Sequence, residues 1–329
     1  MSANSWTDRA AVDAAHAWLR ETVAEAGHRV TGPITQPHVR PWSTVFRAPT
    51  DGGDVYLKLC GPSQAHEPAL TTLLAAERPA IVPRILGVHP DEPWMLLADG
   101  GAKLRDVLDG PAQLGVWTEI LPPYAELQRA LLGREDAIRD TGTPDHGLDR
   151  LLADFRGVLD DERILAASAA TFEAAARRRL RSLLPEIERQ AAELATSGVG
   201  STAQHDDLHD ANVLVRDGTA VVFDWGDASL THPFLSLGVL LEFSAERAGV
   251  AKDHPSIVRV RDAYLEPWTA LLQRPALVEA AGLGARLASL TRALSWHRVV
   301  TLIPAAMEAE PGMMGQYLSQ VVDAFSPGA

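Results

Sequence analysis

One stretch constrains the fold of this chain more than any other: Gln204 to Asp227, QHDDLHDANVLVRDGTAVVFDWGD. It reads as a loop from His205 to Asn212, two short strands at Val213–Val215 and Ala220–Phe223, and a second acidic loop. Asp217-Gly218 between the strands accepts the positive φ angles of a two-residue hairpin turn. A hairpin brings its outer ends together. Asn212 and Asp224, twelve residues apart, are therefore expected side by side, with Asp207 one loop away. Two carboxylates and a carboxamide converging on a loop rim offer the oxygen ligands that a hard divalent cation takes beside phosphates.

The rest of the chain must supply a scaffold for that rim. Its 329 residues exceed what one small core needs, so two lobes are expected. The net charge of −13 argues against a nucleic-acid partner held by a basic field. It is compatible with a cationic or metal-bound substrate, and its simplest meaning is a solvated acidic surface. Arg177-Arg178-Arg179, with Glu186 and Glu188 downstream, reads as a solvated helix face. The single cysteine, Cys60, excludes an internal disulfide and a cysteine-based metal pattern, and reads as a small buried hydrophobe. The first residues lack a signal-peptide pattern, and no apolar run approaches the roughly 18 residues of a membrane span. A reducing cytoplasm and no membrane partner are the expectation.

In order, residues 7–26 read as an amphipathic helix stopping at Gly27. Strand-like segments follow at Thr44–Arg47 and Val55–Leu59 around Asp51-Gly52-Gly53-Asp54, a helix at Pro68–Ala76, and strands at Ile81–Val88 and Pro93–Leu97. Lys58 lies inside the strand VYLKLC, where an ammonium costs burial energy unless it has a partner. Asp99-Gly100-Gly101 is the best linker, dividing a β-rich lobe at 1–98 from a helical lobe at 99–329. Helices are expected at Leu104–Leu108, Leu114–Leu132 with a break at Pro122-Pro123, Leu148–Leu159 and Ile164–Leu194. After the hairpin they resume at Phe234–Ala248, Ile257–Leu272, Pro275–Ala281, Gly284–Leu302 and Gly315–Phe325. The fold class is α+β and bilobal.

Four pieces then form one constellation, each with a physical job in phosphoryl transfer. Lys58 supplies positive charge to phosphates, and Glu67 positions it. Asn212 and Asp224 hold a metal ion, and Asp207 orients a carboxylate at an attacking hydroxyl. Glu77 is a second candidate partner for Lys58.

HDDLHDAN followed by FDWG resembles the catalytic loop and metal loop of the protein-kinase-like fold. His209 after Asp-Leu, and Trp225 after the metal aspartate, are similar to the aminoglycoside phosphotransferase and choline kinase branch. VYLKLC, HEPALTTLLA, PWMLLADGGAKLRDVL and GDASLTHPF fall in that family's order, so the resemblance covers nearly the whole chain. It implies Mg²⁺-dependent transfer of the γ-phosphoryl of ATP or GTP to a hydroxyl of a small molecule. Carried over residue by residue, Asp207 is the base, Asn212 and Asp224 the metal ligands, Lys58 the phosphate anchor and Glu67 its partner. Leu97, Ala98 and Asp99 become the adenine-binding hinge, and His205 a structural brace. No glycine-rich loop precedes Lys58; the matching stretch is His38 to Thr44, which leaves Ser43 and Thr44 as phosphate-side candidates.

Two other readings stay open. His205, Asp207 and His209 alternate as in a metal-dependent hydrolase. A non-catalytic kinase-like nucleotide-binding protein is the second, against which stands the joint presence of all four pieces. Trp117, Trp268 and Trp296 read first as core. Asp227, Glu242, Trp296 and His297 are the candidates for the acceptor pocket, and the acidic charge leans towards a cationic, aminoglycoside-like acceptor.

Overall fold

In the computed structural model, which describes residues 5–326, a small β-rich lobe precedes a larger helical one. The ends of the two expected lobes, 1–4 and 327–329, lie outside the described residues. The small lobe contains α1 (Arg9–Glu25), β1 (Thr35–Arg40), β2 (Ser43–Thr50), β3 (Gly53–Cys60), α2 (Glu67–Glu77), β4 (Ile85–Val88) and β5 (Trp94–Ala98). Its five strands form an antiparallel sheet in the order β1-β2-β3-β5-β4.

Local chemistry explains the first helix. The Asp8 carboxylate caps α1 by accepting from the Ala11 N–H at 3.1 Å. Ala15, Leu19, Thr22 and Val23 recur at helical spacing and are buried. They cover Phe46, Leu57, Trp94 and Leu96 on one face of the sheet, a first core in which a buried leucine contributes about 1.5–3 kcal/mol. Val55, Leu57 and Leu59 of β3 belong to this core, so strand alternation turns Tyr56, Lys58 and Cys60 to the other face.

Leu70 and Leu74 of α2 join a second core built mainly from the helical lobe. The two cores therefore divide before the Gly-Gly linker at which the sequence pattern changes. Gly101 has φ +103°, and a Cβ there would stand 2.2 Å from the Val215 carbonyl oxygen, so the linker can pass the catalytic hairpin only as glycine.

The helical lobe runs β6 (Ala102–Lys103), α3 (Leu104–Val107), α4 (Gln113–Ala130), α5 (Glu135–Arg139), α6 (Leu151–Asp160), α7 (Glu162–Ala167) and α8 (Ala174–Ala195). Four short strands follow: β7 (Thr202–Gln204), β8 (Val213–Arg216), β9 (Thr219–Val222) and β10 (Ser229–Thr231). It ends with α9 (Leu237–Ala248), α10 (Pro255–Leu265), α11 (Arg274–Leu302), α12 (Ala305–Ala309) and α13 (Met313–Ala324).

Several expected boundaries move, each for a packing reason. Helix α4 runs unbroken through Pro122-Pro123, because Ile120, Leu121, Tyr124, Ala125 and Leu127 on it are all buried in the core. Helix α11 continues through the expected break at Gly282–Gly284. Gly284 is there for close packing, since a Cβ would lie 2.7 Å from the Phe234 backbone. The stretch expected as one helix from Ile164 to Leu194 divides into α7 and α8, with Phe172 of the connection buried. The expected strand Ile81–Val88 keeps only its second half, after a single 3-10 turn at Pro79–Ile81.

Candidate active site

The opening stretch is pinned twice. Strands β7 and β10 pair Gln204 with Ser229 at its base. Strands β8 and β9 form the hairpin, with Asp217 at φ +50° and Gly218 at φ +76° in the turn. The Phe223 N–H donates to the Asn212 carbonyl at 3.0 Å, which joins the hairpin's outer ends as the turn chemistry requires. Asp224 follows in a left-handed conformation, φ +66°, a strained setting for a non-glycine residue.

That backbone turns the Asp224 carboxylate towards the other lobe. Lys58 Nζ contacts Glu67 at 2.8 Å (Oε1) and 2.6 Å (Oε2), and it also donates to Asp224 Oδ1. Burial works against the ammonium, but Asp224 and Glu67 together raise its pKa, so Lys58 stays charged. The Cys60 thiol donates to Glu67 Oε2 at 3.3 Å. Glu77 is elsewhere, paired with Arg134.

Asp207 is held from three sides. Asn212 Nδ2 donates to its carbonyl at 2.9 Å and to Oδ2 at 3.0 Å. His209 Nδ1 accepts the Ala211 N–H at 3.1 Å, so the ring proton sits on Nε2, which faces Asp207 Oδ2 at 3.3 Å. Phe243 stacks on the His209 ring, centroids 4.8 Å apart. Arg292 Nη1 lies 2.7 Å from Oδ1, yet Oδ1 accepts no aligned hydrogen bond. Burial alone would raise the Asp207 carboxyl, but Arg292 and His209 drive it well below the usual range. Asp207 is therefore ionised, with Oδ2 hydrogen-bonded and Oδ1 buried beside Arg292.

His205 is fully buried. Its Nδ1 accepts the Asp207 N–H at 3.3 Å and its Nε2 donates to the Phe223 carbonyl at 2.9 Å, so neither nitrogen has a lone pair for a metal. Among the described residues no group of three or more His, Cys, Asp or Glu side chains is placed to hold a metal ion. The hydrolase alternative thus lacks its ligand set. Asn212 engages Asp207 through Nδ2 and Asp224 engages Lys58 through Oδ1, so each keeps an oxygen for a hard cation. That donor set suits Mg²⁺ that is shared with substrate phosphates.

The remaining expected residues scatter. Thr44 Oγ1 donates to the His38 carbonyl at 2.7 Å and accepts from Gln36 at 2.9 Å; Ser43 is buried opposite Cys60 in the ladder. Their side chains serve the sheet. At the hinge, the Ala98 N–H donates to Arg84 (2.9 Å) and the Asp99 N–H to Asp54 (3.2 Å), while Leu97 pairs with Tyr56. Arg216 clasps Asp99 from the helical lobe. Asp227 accepts from Ser295 Oγ at 2.7 Å, His297 pairs with Asp161 at 3.1 Å, and Glu242 pairs with Lys252 on the surface. Trp296 is buried at 8% exposure and packs edge-on against Trp42 and Tyr317.

Sequence reading missed Arg292, Tyr317, Arg298 and Asp206. Arg292 Nη2 donates to the Tyr317 hydroxyl at 2.9 Å, and its Cζ lies 5.0 Å from the Tyr317 ring centroid. Arg298 Nη2 donates to the Gly226 carbonyl at 3.1 Å. Asp206, in a left-handed conformation, is buried against Ser229, and burial lifts its carboxyl to about 7. The available signal was the one that flagged Lys58: arginines set among Leu290, Leu294, Val299 and Val300 in an otherwise apolar helix.

Comparison with known proteins bears on the fold and the family. No curated protein matches the sequence. Among solved structures, a macrolide 2'-phosphotransferase from Brachybacterium faecium is 20% identical, with TM-score 0.58 over 94% of this chain and 98% of that one. An ethanolamine kinase from Plasmodium vivax is 13% identical, with TM-score 0.60 over 89% of this chain and 82% of that one. A thermostable mutant of aminoglycoside phosphotransferase APH(4)-Ia, in ternary complex with AMP-PNP and hygromycin B, is 14% identical, with TM-score 0.59 over 94% and 99%. At these identities the likeness shows the fold. Residues 36–277, most of the chain and all of the Lys58–Asp207–Asp224 constellation, match the phosphotransferase enzyme family, and the chain belongs to that family.

Proposed function

We propose that this protein is a small-molecule kinase that moves the γ-phosphoryl of ATP or GTP, with Mg²⁺, to a hydroxyl of its acceptor. The observation that carries the reading is the buried ammonium of Lys58, held between Glu67 of the small lobe and Asp224 of the large one. A structural ion pair needs only one partner. A lysine ligated from both lobes at the cleft is poised for a polyanion.

In this reading Lys58 binds the phosphates, and Asn212 and Asp224 hold Mg²⁺, which when bound neutralises phosphate charge. The Asp207 carboxylate receives the acceptor hydroxyl and takes its proton as the acceptor oxygen bonds to the γ-phosphorus. The bond from that phosphorus to the bridging oxygen breaks, and the nucleoside diphosphate leaves. The low pKa of Asp207 makes it an orienting carboxylate more than a strong base, which suits a transition state with little proton transfer. The relatives in complex with or named for nucleotide, antibiotic or ethanolamine substrates support the class of reaction. Measuring nucleoside diphosphate release across hydroxylated acceptors tests the reading; a protein that binds ATP-Mg²⁺ and GTP-Mg²⁺ but transfers phosphate to nothing, water included, would instead be a nucleotide-binding module.

A further inference from the structure

Asp210 follows Asp207 in the same loop, and its carboxylate is buried, with the residue 2% exposed. A buried carboxylate needs donors, and three side chains supply them. Arg105 reaches Oδ1 through Nη2 at 2.8 Å and Nε at 3.2 Å. Arg247 Nε at 2.8 Å and Gln113 Nε2 at 3.2 Å reach Oδ2. The Arg105 N–H also donates to the Asp210 carbonyl at 3.2 Å. One carboxylate thus ties the Asp207 loop to α3, α4 and α9.

Arg105 does more than satisfy Asp210. Its Nη2 carries two hydrogens, and besides Asp210 it meets His209 Nδ1 at 3.1 Å. The Ala211 N–H reaches the same nitrogen at 3.1 Å. With two donors on Nδ1, the ring proton belongs on Nε2, which lies 3.3 Å from Asp207 Oδ2. Phe243, stacked at 19° to the His209 ring, restricts its tilt, so the bonds on Nδ1 set where Nε2 points. The two duties of Arg105 differ in how far they are shared. Without it, Asp210 keeps Arg247 and Gln113. His209 Nδ1 keeps only a backbone N–H of its own loop, which cannot fix the ring against the rest of the lobe. Arg105 also stands four residues after Gly101, where β6 pairs Ala102 with Val215 and Lys103 with Leu214 of the catalytic hairpin. The arginine therefore refers the ring to the segment that joins the lobes.

We propose that Arg105 is a positioning residue: through His209 it aims the Nε2–H at Asp207 and so fixes the carboxylate that orients the acceptor hydroxyl. The inference rests on the kinase reading above.

Calorimetry with ATP-Mg²⁺ and GTP-Mg²⁺ comes first, followed by nucleoside diphosphate release with water and with glycerol as acceptors. No binding, or binding without release to either acceptor, would overturn the kinase reading and this proposal with it. With both in hand, Arg105→Met is expected to lower the rate at saturating nucleotide about tenfold, while KM for the nucleotide stays within about threefold. The Arg105 side chain is 37% exposed, and Asp210 retains two partners, so the variant is expected to fold. His209→Phe, which keeps a ring on Phe243 but no N–H, should lower the rate by a similar factor. The double variant should fall within about twofold of the slower single one, because both changes break one line of contact. In ¹⁵N spectra of histidine-labelled protein, with His209 assigned by its loss in His209→Phe, the Nδ1 resonance should move in Arg105→Met. Losses that multiply to about a hundredfold in the double variant would make Arg105 a partner of Asp210 alone and overturn the proposal. Undiminished turnover, a KM that rises as far as the rate falls, or an unmoved Nδ1 resonance would each do the same. If Arg105→Met does not fold, Arg105→Lys takes its place, since it keeps a charge for Asp210 without the fork that reaches His209. Wild-type turnover with an unmoved Nδ1 resonance in that variant overturns the proposal as well.

Discussion

The two flanks of the cleft are built by different means. On the nucleotide flank, Lys58, Glu67, Asn212 and Asp224 come from short segments, and their alignment follows from strand alternation, a helix start and a hairpin turn. On the proposed acceptor flank, Arg292 of α11 reaches Asp207, Tyr317 of α13 backs Arg292 and Ser295 of α11 reaches Asp227, an arrangement made only because distant helices pack together. The first flank is strongly charged around one buried ammonium; the second pairs Arg292 with Asp207 beside the rings of Trp296 and Tyr317. Chemistry common to phosphoryl transfer can be written in local motifs, whereas recognition of an acceptor is written in tertiary packing.

The largest expected effect lies where the flanks meet. Asp207→Asn should cut turnover by about 10²–10⁴-fold while ATP affinity stays within about threefold, measured by ADP release and calorimetry. Equal loss of both would move Asp207 to the structural side. On the nucleotide flank, Lys58→Met leaves Glu67 buried without its cation and should cost about 3–5 kcal/mol in urea unfolding, with part recovered in Lys58→Met/Glu67→Gln. Unchanged stability would mean that the ammonium is not an internal counter-ion.

Smaller effects sharpen the acceptor flank. Arg292→Gln removes the cation that holds the Asp207 carboxyl down, so the base remains protonated to higher pH. The acid limb of the kcat/KM profile should move upward, and an unmoved limb would separate Arg292 from the base. Asp206 gives the mildest test. Its folded carboxyl, lifted to about 7, binds a proton more tightly than in the unfolded chain. The Asp206 contribution to stability is therefore greatest at low pH, falls as pH rises through the carboxylate range towards 7, and stays reduced above. Asp206→Asn, which tolerates the left-handed backbone, should flatten that fall and gain on the order of 1–3 kcal/mol relative to wild type at pH 8 against pH 5.

The same division explains how far the sequence could be read. Two lobes, the Gly-Gly linker, the hairpin with its Asp217-Gly218 turn and the Lys58–Glu67 pair were all legible, because each is set by local periodicity or turn chemistry. Glu242 was read as a pocket candidate, but it faces solvent with Lys252. Ser43 and Thr44 are expected at the phosphates; in the structure Thr44 Oγ1 donates to the His38 carbonyl, and Ser43 is buried opposite Cys60. A break at Pro122-Pro123 and a gap between Ala281 and Gly284 follow from local propensity alone, and the buried faces of α4 and α11 override it. The charge of −13 says least about the acceptor, since a sum over the chain does not show how charges pair at one corner.

The proposed roles of Lys58, Asn212 and Asp224 amount to a metal-assisted nucleotide site. Calorimetric titration of the protein with ATP and with GTP, each with and without Mg²⁺, is its decisive test. Saturable binding of at least one nucleotide is expected, strengthened by Mg²⁺, with the Mg²⁺ effect lost in Asp224→Ala. No heat and no thermal stabilisation with either nucleotide, or an undiminished Mg²⁺ effect in Asp224→Ala, would contradict it.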